Sequence, residues 1–306
     1  MFAAPPDIAT EVFSAMPERY RLRGRVPEWV RVLRRSQPIE SFLEGPSFDR
    51  AGNLYVTDIP YGRIFRIDPR GEWDLVAEYE GEPNGLKLDR EGRVWVADHM
   101  HGILRLDART GRMETVCDRP VLERFRGVND LVFASNGDLY FTDQGQSGLE
   151  DPAGRIYCLR AGGKLDVVMR NIPSPNGIVL DAQEHSLFVA VTRANAVWRL
   201  PLLDDGTPSR VGVFLQLSGG LGPDGLAMDE AGNLAVCHPG LGSVWLFSAM
   251  GEPMARVRSC ADSYTTNSAY GGPDNRWLYV TESHSGTVLR ARMPVAGRAM
   301  YSHAPA

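Results

Sequence analysis

Six positions could do chemistry together because they recur in phase. Glu44, Asn84, Asn129, Asn176, Asp224 and Asn267 each open a short apolar segment, at intervals of 40, 45, 47, 48 and 43 residues. Every one carries a side-chain oxygen. Two carboxylates with several amide carbonyls form the hard donor set that suits Ca²⁺, Mg²⁺ or Mn²⁺. The two negative charges would offset a divalent ion. Taken singly, each residue has a plainer reading, because Asn-Gly and Asp-Gly are ordinary turn pairs. Glu44-Gly45-Pro46 has no special turn chemistry. The common phase of all six argues for a shared site.

A second series closes the next β-prone segment of each unit: Asp58, Asp98, Asp143, Val191 or Thr192, His238 and Glu282. Asp before a hairpin can bond the turn backbone, which is the reading for Asp58 and Asp98. Asp143 shares its unit with Asn129 and precedes an insertion at residues 144–152. Long loops on a rigid scaffold shape sites, so Asp143 is the better-placed member of this series. Arg126, His101, Gln144 and His238 are candidate substrate-binding residues, with Tyr61, Met100, Arg193 and His284 further candidate walls. His238 also reads as a packed core imidazole, and His99 and His101 as surface or rim residues beside Met100.

The elements that must hold these residues form a repeat. Each unit reads as four short β-prone segments divided by Gly, Asn or Asp; Gly225-Leu226-Ala227-Met228, Leu139-Tyr140-Phe141 and Ile156-Tyr157-Cys158-Leu159 typify the first three. The fourth falls at residues 73–79, 113–117, 165–169, 211–217 and 255–258. Four strands per unit at this period predict an all-β, six-bladed β-propeller with four antiparallel strands per blade. The inner strands line a central channel, so the six oxygens form a ring at one mouth. The sixth unit lacks a fourth segment. Residues 30–34, Val-Arg-Val-Leu-Arg, have the character to close the ring as an N-terminal strand. Residues 8–20 read as at most a short amphipathic turn. Residues 1–28 are therefore expected as an N-terminal extension and 29–306 as one propeller domain.

Composition bounds the function. The 306 residues are 43% hydrophobic and 23% charged, enough for a sizeable core. Lys plus Arg total 33 against 38 for Asp plus Glu, so a nucleic-acid partner is not expected. No apolar run approaches a bilayer span, and no secretory h-region is visible; no membrane partner is expected, and a cytoplasmic location is. The four cysteines lack metal-clip spacing and read as reduced thiols. No G-x-S-x-G or H-E-x-x-H occurs. A G-x-G-x-x-G match at Gly220, Gly222 and Gly225 contains Pro223 and opens a strand, so it fails the context of a phosphate cradle.

Glu44-Gly45-Pro46, Asn129-Asp130-Leu131-Val132, Phe141-Thr142-Asp143, Pro175-Asn176-Gly177 and Gly222-Pro223-Asp224-Gly225 resemble the gluconolactonase / senescence marker protein (regucalcin) family of six-bladed calcium propellers. The resemblance spans roughly residues 40–295. The blade-three phrase is similar to that of the bacterial drug-responsive lactonases. The resemblance implies one divalent metal held by Glu44, Asn129, Asn176 and Asp224, with calcium first and magnesium, manganese, zinc or iron as alternatives. It places the family's catalytic aspartate at Asp143. Many members carry an Arg two residues before the Asn-Asp pair; here that position is Gly127, and the nearest basic residue is Arg126. The expected activity is metal-dependent hydrolysis of a small lactone. The alternatives are hydrolysis of a phosphotriester or other ester at the same metal, as in the related diisopropyl fluorophosphatase, and a non-catalytic binding propeller.

Overall fold

Six sheets surround one axis in the computed structural model, which describes residues 4–303. Blade 1 runs Leu43–Phe48, Leu54–Asp58, Arg63–Ile67 and Trp73–Glu78. Blade 2 follows with Pro83–Leu88, Val94–Asp98, Gly102–Asp107 and Arg112–Cys117. Blade 3 has Val128–Phe133, Leu139–Asp143, Gly154–Leu159 and Leu165–Ile172, and blade 4 Pro175–Leu180, Ser186–Val191, Ala196–Pro201 and Gly212–Gln216. Blade 5 has Leu226–Met228, Leu234–His238, Ser243–Phe247 and Pro253–Arg258. Blade 6 has Thr265–Gly271, Trp277–Glu282 and Thr287–Arg292, completed from the N-terminus. The chain is therefore a six-bladed β-propeller of four-stranded antiparallel blades.

The repeated hairpin has a local cause. Asp49 Oδ1 accepts the amides of Ala51 and Asn53, Asp89 Oδ1 those of Glu91 and Arg93, and Asp229 Oδ1 those of Ala231 and Asn233. The side chain closes the turn that joins the first two strands. Apolar side chains of adjacent blades then pack face to face. Ile156 and Cys158 of blade 3, for example, share a core cluster with Ile178, Leu187 and Val189 of blade 4. Phe141 and Tyr157 stack at 5.5 Å, with Phe125 edge-on to both.

An N-terminal strand does close the ring, but it is Glu11–Ala15, not residues 30–34. Glu11–Ala15 pairs antiparallel with Thr287–Arg292. Asp7–Ala9, just before it, adds a fifth, parallel strand to blade 5. Residues 8–20 thus carry strand, where a turn was expected. Tertiary contacts explain the choice. Phe13 packs edge-on to Tyr279 at 5.0 Å, and Ser14 Oγ donates to the Gly71 carbonyl while accepting from Trp73 Nε1.

Residues 30–34 fall instead largely within a helix, Glu28–Leu33. Pro27 stands at its N-cap, Glu28 lies in the first turn where the helix dipole favours an acid, and Arg31 pairs back to Glu28. Val30 is fully buried, and Trp29 packs on Phe42 at 5.0 Å. Burying these two groups outweighs the β preference of the valines.

Candidate metal and active site

The six phased residues lie at the channel-facing start of the inner strands. Four of the six are followed by glycine, and those glycines have a steric role that turn chemistry does not explain. A Cβ on Gly45 would collide with the Asn84 carbonyl of the next blade, on Gly85 with Asp130, on Gly177 with the Asp224 carbonyl, and on Gly225 with the Asn267 side chain. Glycine lets neighbouring inner strands approach closely at this level. The ring is narrow for that reason.

Glu44 is 4% exposed and accepts hydrogen bonds on Oε2 from the Gly45 amide at 2.7 Å and from Asn267 Nδ2 at 2.8 Å. Burial pushes its carboxyl up to about 7 against the pull of those donors. Asp224 is half-buried as a residue. Its carboxyl is pushed well above the usual carboxylate range, first by desolvation and then by the charges of Glu44 and Asp130. Asn176 donates to it, and Arg193 draws it back down. Asp130 is buried too, and burial raises its pKa against the pull of Lys87, 3.9 Å away. Asn129 is buried, its Nδ2 donating to Gln144 Oε1 at 3.1 Å. Asn129 Oδ1 is buried with no hydrogen-bond partner at all.

This donor set fits a divalent cation. Glu44 and Asp224 are charge-starved carboxylates that repel each other, and an orphaned carbonyl oxygen stands with them. Each feature costs free energy that a hard cation would relieve. Among the described residues no group of three or more His, Cys, Asp or Glu side chains is placed to hold a metal. A cation at this level would draw on the amide oxygens of Asn129 and Asn176 as well.

Asp143 ends the second strand of blade 3 and is 1% exposed. Its Oδ1 accepts the Gly127 amide at 2.8 Å, and the Arg126 amide also bonds the carboxyl. Burial raises its pKa, while those amides oppose the shift. The same latch recurs elsewhere. Asp58 accepts the Phe42 amide, Asp98 the Glu82 amide and Glu282 the Tyr264 amide. Each ties the second strand to the chain just ahead of its own blade's ring residue.

The expected binding residues divide. Gln144 joins the site, bridging Asn129 to Ser174 Oγ at 2.9 Å. It lines a cavity of about 420 Å³ with Arg193, Leu33, Ser174 and the insertion residues 145–150. Arg126 is exposed on the rim, with its Cβ against Gly145. His101 lies apart, its Nε2 within 2.7 Å of the Glu80 carbonyl. His238 is a packed imidazole, 1% exposed, with Nε2 at 3.0 Å from the Gly219 carbonyl; it borders a different cavity, with Gln216 and Trp245.

Sequence reasoning missed three neighbours. Leu33 was expected on a strand and reaches the cavity because that segment is helical. Asp130 follows a ring residue where four of the other five blades carry glycine and blade 6 carries Ser268, a departure visible in the repeat. His99 packs on Gly127, which no pattern along the chain announces.

Comparison with known proteins agrees with this architecture. The chain is 28% identical over 305 residues to a gluconolactonase of Zymomonas mobilis, covering 87% of this chain and 84% of the relative. It is 30% identical over 227 residues to lactonase drp35 of Staphylococcus aureus, covering 70% and 69%. Among solved structures, a calcium-binding regucalcin from Agrobacterium tumefaciens superposes with a TM-score of 0.78 at 21% identity, over 99% of this chain and all of the other. A gluconolactonase from Xanthomonas campestris gives 0.75 at 20%, over 96% and 99%. Residues 42–284 match the model of the SMP-30/gluconolactonase/LRE-like region, and the chain belongs to that family.

Proposed function

We propose that the protein is a divalent-metal-dependent hydrolase that opens a small lactone. The observation that carries the metal is the unpartnered, buried Asn129 Oδ1, in the same repeat position as the buried Glu44 and Asp224 carboxyls. Lactone chemistry is supported by the relatives named gluconolactonase and lactonase. Glu44, Asn129, Asn176 and Asp224 would hold the ion, calcium first. Bound there, it would supply Lewis acidity toward the lactone carbonyl oxygen and the tetrahedral oxyanion.

The remaining roles belong to the chain. Gln144 fixes the Asn129 amide so that its oxygen, not its nitrogen, is left free. Arg193 and Leu33 wall the cavity in which a lactone ring would sit. Asp143 is the proposed proton acceptor for the attacking water. A carboxylate has about four lone-pair sites, and the two amides that hold Asp143 leave others for water. Its neighbour Gln144 touches the ring directly.

A pH-indicator assay over a lactone panel, run with added calcium and with chelator, tests the proposal. Metal-dependent turnover of at least one lactone is expected. Turnover only of phosphotriesters or open-chain esters would move the reaction class. A silent panel from metal-loaded protein would favour a binding propeller.

A further inference from the structure

Residues 22–40 form a strap whose two ends are tied together. The Leu22 amide donates to the Glu40 carbonyl at 3.2 Å, and Arg21 and Arg23 pair with the Glu40 carboxylate at 3.1 and 2.8 Å. The Tyr61 hydroxyl donates to the Ile39 carbonyl. The apex of the strap is the helix Glu28–Leu33 and the turn that follows it. This apex lies at the channel mouth that bears the oxygen ring. Trp29 packs on Phe42, two residues ahead of Glu44, and Leu33 lines the cavity with Gln144 and Arg193. Val30 is its buried anchor, while residues 31–33 and 35–38 are exposed.

One residue ties the apex to blade 6. Arg34 Nη2 lies 2.6 Å from His284 Nε2, and Arg34 Nη1 donates to the Tyr264 hydroxyl at 3.0 Å. The guanidinium sits over the Tyr264 ring at 4.8 Å, and the imidazole stacks on the same ring at 3.8 Å. A guanidinium can only donate. Nε2 therefore accepts, and the imidazole in this contact is neutral with its proton on Nδ1. Nδ1 faces Asp262 Oδ2 at 3.5 Å. The other charged groups about the ring are Glu282, whose Oε1 accepts the His284 amide, and Arg21, which donates to the Ser285 carbonyl. The Ser263 amide lowers the Asp262 pKa, so that carboxylate stays charged. Straight after Arg34, Arg35 and Ser36 both take left-handed backbone, with φ of 49° and 60°. Neither is glycine, and such strain persists only where the surroundings enforce it.

We propose that Arg34 and His284 form a proton-sensitive latch that holds the strap closed over the channel mouth. A second proton on His284 would set an N–H against the N–H of Arg34 and place two cations 2.6 Å apart. The imidazolium has a better partner ready in Asp262, so the ring turns to it and releases Arg34. The strained turn at residues 35–36 then relaxes, and the apex lifts about its tied neck. Leu33 leaves the cavity with it. The strap is therefore closed when His284 is neutral and open when it is protonated. The latch rests on the strap's own contacts and holds whatever reaction the site performs.

The test uses the full chain with 5-fluorotryptophan in place of its six tryptophans, read by ¹⁹F NMR from pH 8 to pH 5.5. Trp29→Phe assigns the apex signal. In the parent that signal should move between two positions as the pH falls while the remaining signals stay put. The open share should rise roughly tenfold for the loss of one charged hydrogen bond. His284→Gln keeps an amide oxygen for Arg34 and gains no proton, so its apex signal should stay at the pH 8 position throughout. Arg34→Met cuts the latch from the other side and should hold the acid position throughout. An apex signal that does not move in the parent overturns the inference. So does a pH response that survives in His284→Gln, or an Arg34→Met signal that stays at the pH 8 position. A shift shared by all the tryptophan signals would mark acid unfolding and overturns it too.

Discussion

The imidazole of His99 occupies the space that any side chain on Gly127 would need. The two come from neighbouring blades, His99 after the second strand of blade 2 and Gly127 two residues ahead of Asn129. Gly127 also takes φ of 150°, a conformation few L-residues adopt. Burial lowers the His99 pKa, so the ring packs there as a neutral group. The Arg that many family members carry at this position has no room in this protein.

Gly127→Ala should therefore cost about 1–3 kcal/mol through overpacking and backbone strain. His99→Ala in the same chain should recover the steric part. Thermal or urea denaturation of the two single variants and the double variant measures this, and strictly additive losses would show that the two residues do not compete for space.

Chelation should remove turnover and lower the melting temperature together, because one ion would relieve the Glu44–Asp224 repulsion and serve the reaction. Re-addition of calcium should restore both. Asn129→Ala should weaken calcium binding, read by calorimetry; because it also removes the Nδ2 bond to Gln144, the metal-free protein should lose about 1 kcal/mol.

The metal-free protein should lose stability as pH rises. Glu44 titrates near 4.5 when unfolded and is pushed up to about 7 when folded. Between those values the folded state holds the extra proton, so stability falls with pH across that window and levels off above it. Melting temperatures of chelated protein from pH 4.5 to 8 should drop by a few degrees. Saturating calcium should remove the trend, and its affinity should rise over the same interval. Glu44→Gln should flatten the metal-free curve.

Asp143→Asn tests proton acceptance against the latch. Asn still offers one oxygen to the Gly127 amide, so calcium binding should persist, while kcat should fall about 100-fold or more. Asp98→Asn alters the equivalent latch in blade 2 and should cost stability without a comparable loss of kcat. Equal kcat losses in the two variants would assign Asp143 to positioning alone.

Deleting residues 1–16 should be far more damaging than the loss of a terminal extension. It strips the closing strand of blade 6 and the added strand of blade 5, and exposes the Thr287–Arg292 edge. Loss of the cooperative melting transition, or aggregation, is expected by calorimetry and light scattering.

The sequence by itself determined the blade count, the strand phase and the place of the six ring positions at the start of the inner strands. These are properties of a repeat: Asp-closed hairpins and alternating apolar segments recur locally, and a fixed period sends equivalent residues to equivalent places. Tertiary structure alone decided which segment closes the ring. Glu11–Ala15 and residues 30–34 are both short and β-prone, and what separated them was the fit of Phe13 on Tyr279 and of Trp29 on Phe42. It likewise decided that His238 packs away from the ring, that His99 fills the space at Gly127, and that Asn129 keeps a bare oxygen. Each depends on what a neighbouring blade or loop places beside it, and that proximity is not written in the spacing along one chain.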